Sequence, residues 1–281
     1  MDDPGSAGPG RPVAPVGLFH ALLDALFQPA CLACDKPATC DGLLCDLCRS
    51  TLRPLLGGIC RQCGELLRGA SEEDQAQAGA SALCAHCEAK PPACRFIRGA
   101  VVHGRVGRSL VHALKYHQRL DVLPFMADWL MPVYWQYVAS WQPQVVVPVP
   151  LHPWRQWQRG YNQAAELASA WAPRLELPVM DDALLRVNAT VSQVGKSRRQ
   201  RLVNLRQSFA AGPSIGMVGG RRVLLVDDVA TTGSTLEECA RTLVSLGATE
   251  VAALVFSRAS AAGGAALAQL GKGAARDQEK K

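Results

Sequence analysis

Arg222-Val-Leu-Leu-Val-Asp-Asp-Val-Ala-Thr-Thr-Gly-Ser-Thr235 is the stretch around which the chain is organised. Four apolar residues, Val223 to Val226, stand between Arg221-Arg222 and Asp227-Asp228, the pattern of a buried parallel strand. Small hydroxyl residues and one glycine follow. Leu236, Cys239, Ala240, Leu243 and Leu246 then fall on one helical face, with Gly247 as a stop signal. The order is strand, polar loop, helix. Such a loop collects free backbone N–H groups and the positive end of a helix dipole, so it suits a phosphate. Ser234 and Glu237 have the spacing of a capping box. The paired acids would repel a phosphate unless they hold something else, such as sugar hydroxyls or a metal-bound sugar. No lysine follows the glycine, which excludes a Walker loop, and no Gly-x-Gly-x-x-Gly precedes a helix, which excludes a dinucleotide fingerprint.

Composition sets the frame. The chain has 281 residues, 48% of them hydrophobic, enough for one good core and a small appendage. Net charge is +6, but it is unevenly spread. From Ala183 to Val226 there is no acid, while eight basic residues occur: Arg186, Lys196, Arg198, Arg199, Arg201, Arg206, Arg221 and Arg222. No apolar run is long enough to span a membrane. The amphipathic run Val16 to Phe27 is interrupted by His20 and Asp24, lacks a basic flank and has no small-residue cleavage site after it, so no signal peptide is expected. A cytoplasmic location is expected, where eleven cysteines point to metal rather than disulfides.

Four Cys-x-x-Cys pairs follow: Cys31/Cys34, Cys45/Cys48, Cys60/Cys63 and Cys84/Cys87. Each pair places two thiolates on one ion from a tight turn, and two pairs complete a tetrahedral zinc site. Two structural Zn²⁺ ions are therefore expected, paired sequentially or in a cross-braced manner. All-thiolate sites leave no open position for water activation. Cys40, Cys94 and Cys239 remain over and read as small buried or incidental thiols.

Pro91-Pro92 marks a linker. Ala100-Val101-Val102 reads as a strand and Val106 to His117 as a helix, with Val106, Leu110, Ala113 and Leu114 on its apolar face. His103, His112 and His117 near it read as packed or solvated. Asp121 to Trp141 reads as a longer helical region kinked near Pro132. Val145 to Pro150 is a second buried strand. It feeds a basic loop, Leu151-His-Pro-Trp-Arg-Gln-Trp-Gln-Arg-Gly-Tyr-Asn-Gln163, before a helix from Asn162 to Leu175. Trp154, Arg155, Trp157, Arg159 and Tyr161 alternate as a stacking surface for single-stranded nucleic acid would require. Val251 to Phe256 is the last core strand.

The Asp-Asp/Thr-Thr-Gly-Ser-Thr stretch resembles the phosphoribosyl-pyrophosphate (PRPP) loop of type I phosphoribosyltransferases. The resemblance implies that Asp227 and Asp228 hold the ribose hydroxyls. It places the 5′-phosphate on the turn containing Ala230, Thr231, Thr232, Gly233, Ser234 and Thr235. It also implies Mg²⁺ bound with PRPP, and a pyrophosphate held by Arg155, Arg159 and Asn162. Lys196, Arg198, Arg199 and Arg201 would lie in a mobile hood, contacting either bound ligand or a nucleic-acid backbone.

With the cysteine array, Leu110-Val-His-Ala-Leu-Lys-Tyr116, Val147-Pro-Val-Pro-Leu151, Arg159-Gly-Tyr-Asn-Gln163, and Gln193-Val-Gly with Arg198 to Asn204, the chain resembles the ComF family of double-zinc-ribbon, phosphoribosyltransferase-like proteins. That resemblance covers about residues 31 to 258. The expected fold is α/β: a type I phosphoribosyltransferase fold, with a mainly parallel sheet flanked by helices, preceded by a Cys-rich zinc ribbon. The expected divisions are 1–15 disordered, 16–92 short helix and double ribbon, 93–258 transferase-like domain, and 259–281 disordered tail. Family membership implies handling of single-stranded DNA during uptake in natural transformation, beside helicase or channel components. The other reading is an active phosphoribosyltransferase, transferring ribose 5-phosphate to an unidentified base in nucleotide metabolism or salvage. No residue is assigned a catalytic role.

Overall fold

The computed structural model describes residues 29–39, 41–67, 82–187 and 208–259. Two short helices, α1 (Asp46–Ser50) and α2 (Ala85–Ala89), stand among the cysteine pairs. Then come β1 (Ile97–Val102), α3 (Arg105–Tyr116), α4 (Val122–Val133), β2 (Val145–Pro148), α5 (Pro153–Arg159) and α6 (Gln163–Trp171). The chain continues through β3 (Leu184–Arg186), β4 (Phe209–Ala211), β5 (Arg222–Ala230), α7 (Ser234–Ser245) and β6 (Glu250–Arg258).

The central sheet has the order β1-β6-β5-β2, and every neighbouring pair is parallel. Its strands are continuous apolar runs because both faces are covered. On one face Leu224, Val226, Leu254 and Phe256 pack with Leu110 and Leu114 of α3, Met126 and Leu130 of α4, and Leu167 and Trp171 of α6. On the other, Val223, Leu225, Ala253 and Val255 meet Leu236, Cys239, Ala240 and Leu243 of α7. Leu224, Leu254 and Phe256 are fully buried, each worth roughly 1.5–3 kcal/mol of transfer free energy. β3 and β4 form a separate antiparallel pair.

The helical face expected from Val106 to Leu114 is buried. Three expectations need correction, and a fourth, the helical region over Asp121–Trp141, is met with a change of helix type. β5 runs beyond Val226 to Ala230, because β6 continues beside it and offers ladder partners as far as Arg258; both acids therefore sit within the strand. The basic segment after β2 is a helix, α5, capped by the His152 ring, which accepts from the Trp154 N–H at 3.2 Å, with Pro153 in the first turn. Leu246 lies past the end of α7 and is 37% exposed. The Asp121–Trp141 region keeps α-helical bonding to Val133, then loosens into a π-helical turn at Tyr134–Val138 and a 3₁₀ turn at Ala139–Trp141.

The first cysteine pairs are not a detached bead. Cys31, Leu43, Leu44, Cys48 and Leu52 belong to the same buried cluster as α3 and α4.

Candidate phosphate-loop site and two four-cysteine centres

The sequential pairing of the cysteines is the one observed. The Sγ atoms of Cys31, Cys34, Cys45 and Cys48 lie within 4.8 Å of one another, as do those of Cys60, Cys63, Cys84 and Cys87. Cys34 and Cys45 sulfurs are 3.6 Å apart, and so are those of Cys63 and Cys84. A tetrahedron with Zn–S bonds of about 2.3 Å has edges of about 3.8 Å, so both sets fit zinc as a closed, structural ion. Cys94 and Cys239 are buried elsewhere, and burial pushes both thiols well above their ordinary value. Cys40 lies outside the described residues.

Parallel strands share one carboxyl edge, and there the phosphate-loop site is built. Asp228 is 1% exposed; Lys115 Nζ lies 2.6 Å from its Oδ2, and Gln163 Nε2 donates to its Oδ1 at 3.4 Å. Asp227 accepts from the Asp228 N–H at 2.8 Å. Burial, and then the neighbouring Asp228 carboxylate, raise the Asp227 carboxyl well above the usual range, with Lys115 opposing. Beyond Ala230, Thr231 and Thr232 are exposed, and the Thr232 and Ser234 hydroxyls are 2.8 Å apart.

The capping box expected of Ser234 and Glu237 is not formed. The N-cap of α7 is Gly233, at φ +79°, a left-handed conformation that favours glycine, and a Cβ there would come within 3.2 Å of Ile97 Cδ1. Glu237 instead accepts from the Ala93 N–H at 2.6 Å and the Cys94 N–H at 3.2 Å, tying the linker to α7.

The other expected ligand groups are unevenly placed. Arg155 is exposed on α5 beside Trp154 and Trp157, which are 60% and 82% exposed. Arg159 donates to Gln163 Oε1 at 3.0 Å and stands 5.2 Å from the Tyr116 ring centroid. Asn162 is buried: its Nδ2 donates to the Val149 carbonyl and its Oδ1 caps α6 through Ala164 N–H, both at 3.1 Å. Its side chain is thus engaged within the fold. Lys196, Arg198, Arg199 and Arg201 lie outside the described residues.

Several residues at this edge had no assigned role in the sequence. Lys115 stands in the last turn of α3, where Tyr161 O–H donates to the Leu114 carbonyl. His103 follows β1, with Nδ1 2.7 Å from Ser257 Oγ; burial, Arg108 and Lys115 depress its titration, and Asp228 opposes them. Arg186 of β3 is lowered by burial and held up in part by Cys239 and Asp227. Arg258 ends β6 beneath the loop. Lys115 lies within the Leu110–Tyr116 motif but had no role of its own there, and Arg258 shows in the sequence only as a basic residue at the end of an apolar strand.

Residues 22–88 match the double zinc ribbon domain and residues 162–266 the phosphoribosyl transferase domain. Over 216 residues the chain is 32% identical to the DNA utilization protein YhgH of Escherichia coli K12, covering 74% of this chain and 93% of that one. The chain belongs to the ComF family. Within it, similarity to Competence protein F of Haemophilus influenzae is 42% over 117 residues, which spans 42% of this chain and about half (51%) of that protein. Competence protein ComFC of Bacillus subtilis is 26% identical over 214 residues, 74% of this chain and 80% of that one. Among solved structures, the allosteric regulatory enzyme of purine biosynthesis aligns at 23% identity over 48% of this ComF-family chain and 25% of that one, with a TM-score of 0.30, and nothing is argued from a likeness that low. Among the described residues, no helix is long and apolar enough to cross a membrane.

Proposed function

We infer that this ComF-family chain binds PRPP with Mg²⁺ at the end of β5 and handles single-stranded DNA during uptake, in the cytoplasm. The observation that carries the reading is the continuity of Asp227 and Asp228 with the Thr231–Thr235 turn at the start of α7. Carboxylates suit a ribose diol, and a hydroxyl-rich turn at a helix start suits a 5′-phosphate. Mg²⁺ would neutralise the pyrophosphate as PRPP binds; Arg155 is an exposed cation for the same group. The names of the relatives, a DNA utilization protein and two competence proteins, support the DNA role. So does the exposed Trp154/Trp157 pair flanking Arg155, since base–aromatic stacking beside a cation is how single strands are held without sequence preference.

The deciding experiment titrates the zinc-loaded protein with PRPP and Mg²⁺, with and without labelled single-stranded DNA. PRPP binding that changes DNA affinity is expected. DNA binding without PRPP binding would leave a DNA-binding module with an idle loop. Turnover is the second reading, favoured by the presence of both acids at the loop and of Lys115 against Asp228. Pyrophosphate release on presenting nucleobases with PRPP would establish it; absence of release with every base tested would leave binding alone.

A further inference from the structure

Arg258 is 2% exposed, yet among the described residues its guanidinium bonds only to backbone carbonyls. Its Nε donates to the Cys63 carbonyl at 3.0 Å, and its Nη1 to the Ala230 carbonyl at 3.1 Å and to the Thr231 carbonyl. One buried side chain therefore grips a cysteine knuckle and the first residues of the phosphate loop. A buried cation without a carboxylate is costly, and an anion arriving in the loop above it would offset that cost. In a trans peptide the carbonyl and the following N–H point in opposite directions. Holding the Ala230 and Thr231 carbonyls thus turns the N–H groups of Thr231 and Thr232 away from Arg258, as an anion in the loop requires.

The knuckle end of this link is equally fixed. Three successive carbonyls accept from outside the ribbon: Arg61 from Arg98 Nη2 at 2.8 Å, Gln62 from Ile97 N–H at 2.6 Å, and Cys63 from Arg258 Nε at 3.0 Å. Gly64, at φ +66°, lets the turn close on β1, since a Cβ there would meet the Ile97 carbonyl oxygen at 2.4 Å. Ile97 in turn is the residue packed under Gly233.

We propose that Arg258 is a positioning residue that couples the Cys60/Cys63/Cys84/Cys87 centre to the phosphate loop, so that metal at the one site and phosphate ester at the other strengthen each other. This rests on the PRPP reading of the loop. Coupling between two sites is reciprocal, which makes it measurable from the zinc side. The full-length, zinc-loaded protein is challenged with a chelator, with and without PRPP and Mg²⁺, and PRPP affinity is measured by calorimetry. PRPP should slow release of one of the two zincs. Arg258→Gln should weaken PRPP binding roughly tenfold, the worth of a charge-assisted hydrogen bond, and abolish the protection. Arg258→Lys keeps the charge but not the fork and should retain part of the affinity without the protection. Unchanged zinc release in the wild type, or unaltered PRPP affinity in Arg258→Gln, overturns the coupling alone. Failure of the wild type to bind PRPP overturns the site assignment and the coupling with it. The wild-type release measurement needs no variant, so it can overturn the coupling even if Arg258→Gln fails to fold, and Arg258→Lys then tests the residue itself.

Discussion

Lys115 Nζ and Asp228 Oδ2 are 2.6 Å apart across the carboxyl edge of the sheet, the lysine 16% exposed and the aspartate 1%. Breaking a buried pair by removing one partner leaves an uncompensated charge, typically at a cost of about 3–5 kcal/mol. Lys115→Met should therefore lower the thermal midpoint at neutral pH. Thermal unfolding of both proteins at neutral pH checks this; an unchanged midpoint would mean that the pair adds nothing to stability.

Asp227 behaves in the opposite sense. Its folded-state carboxyl is raised above the ordinary value by burial and by Asp228. Its favourable contribution is fully present below the unfolded carboxylate pKa and is lost as pH rises through the folded value. Asp227→Asn should accordingly stabilise the chain at neutral pH, by an amount that vanishes in acid, while PRPP binding is abolished. Calorimetry for binding and thermal melts for stability read the two effects separately, and stability given up for a site is a familiar exchange.

The exposed aromatics of α5 give a third expectation. Trp154→Ala with Trp157→Ala should weaken single-stranded DNA binding by roughly tenfold or more, because stacking is worth about 1–3 kcal/mol per base. PRPP affinity should hold. Arg155→Ala should reduce the salt dependence of DNA binding by about one unit of slope. Fluorescence anisotropy at several salt concentrations measures both; an unchanged affinity in the double tryptophan variant would remove α5 from the DNA surface.

Zinc removal should reach further than the cysteine turns. Leu43, Leu44 and Leu52 share a buried cluster with α3 and α4, so loss of the first ion exposes the helices that cover one sheet face. Chelation under denaturant-free conditions should lower the midpoint of the whole chain, not only erase a minor transition. Differential scanning calorimetry before and after chelation would reveal a surviving, unshifted main transition if the ribbon were independent.

The centre of the fold was readable because its residues carry short-range signatures. An apolar strand, two acids, a hydroxyl-rich turn and a helical stripe are contiguous, and the four cysteine pairs announce their own chemistry. What stayed hidden depends on long-range packing. Lys115 meets an aspartate far along the chain, and Arg258 meets a knuckle 195 positions upstream; neither partner leaves a mark beside the basic residue. Local rules also competed. Ser234 and Glu237 have the spacing of a cap, but Gly233 takes the left-handed turn against Ile97 and frees Glu237 for the linker amides. Proline and histidine chemistry turned an expected loop into α5.

The order β1-β6-β5-β2 has a consequence for biosynthesis. Of the sheet's four strands β6 is the last to leave the ribosome, yet it occupies an interior place between β1 and β5. Until Arg258 has been made, the edges of β1 and β5 that β6 will cover stay unpaired, of the kind that invite pairing with other chains. Metal can settle into the cysteine turns early in translation, whereas the sheet closes only by late insertion of this final strand. A ribosome stalled before Glu250 would thus hold a metal-loaded amino-terminal portion attached to an aggregation-prone, unfinished sheet.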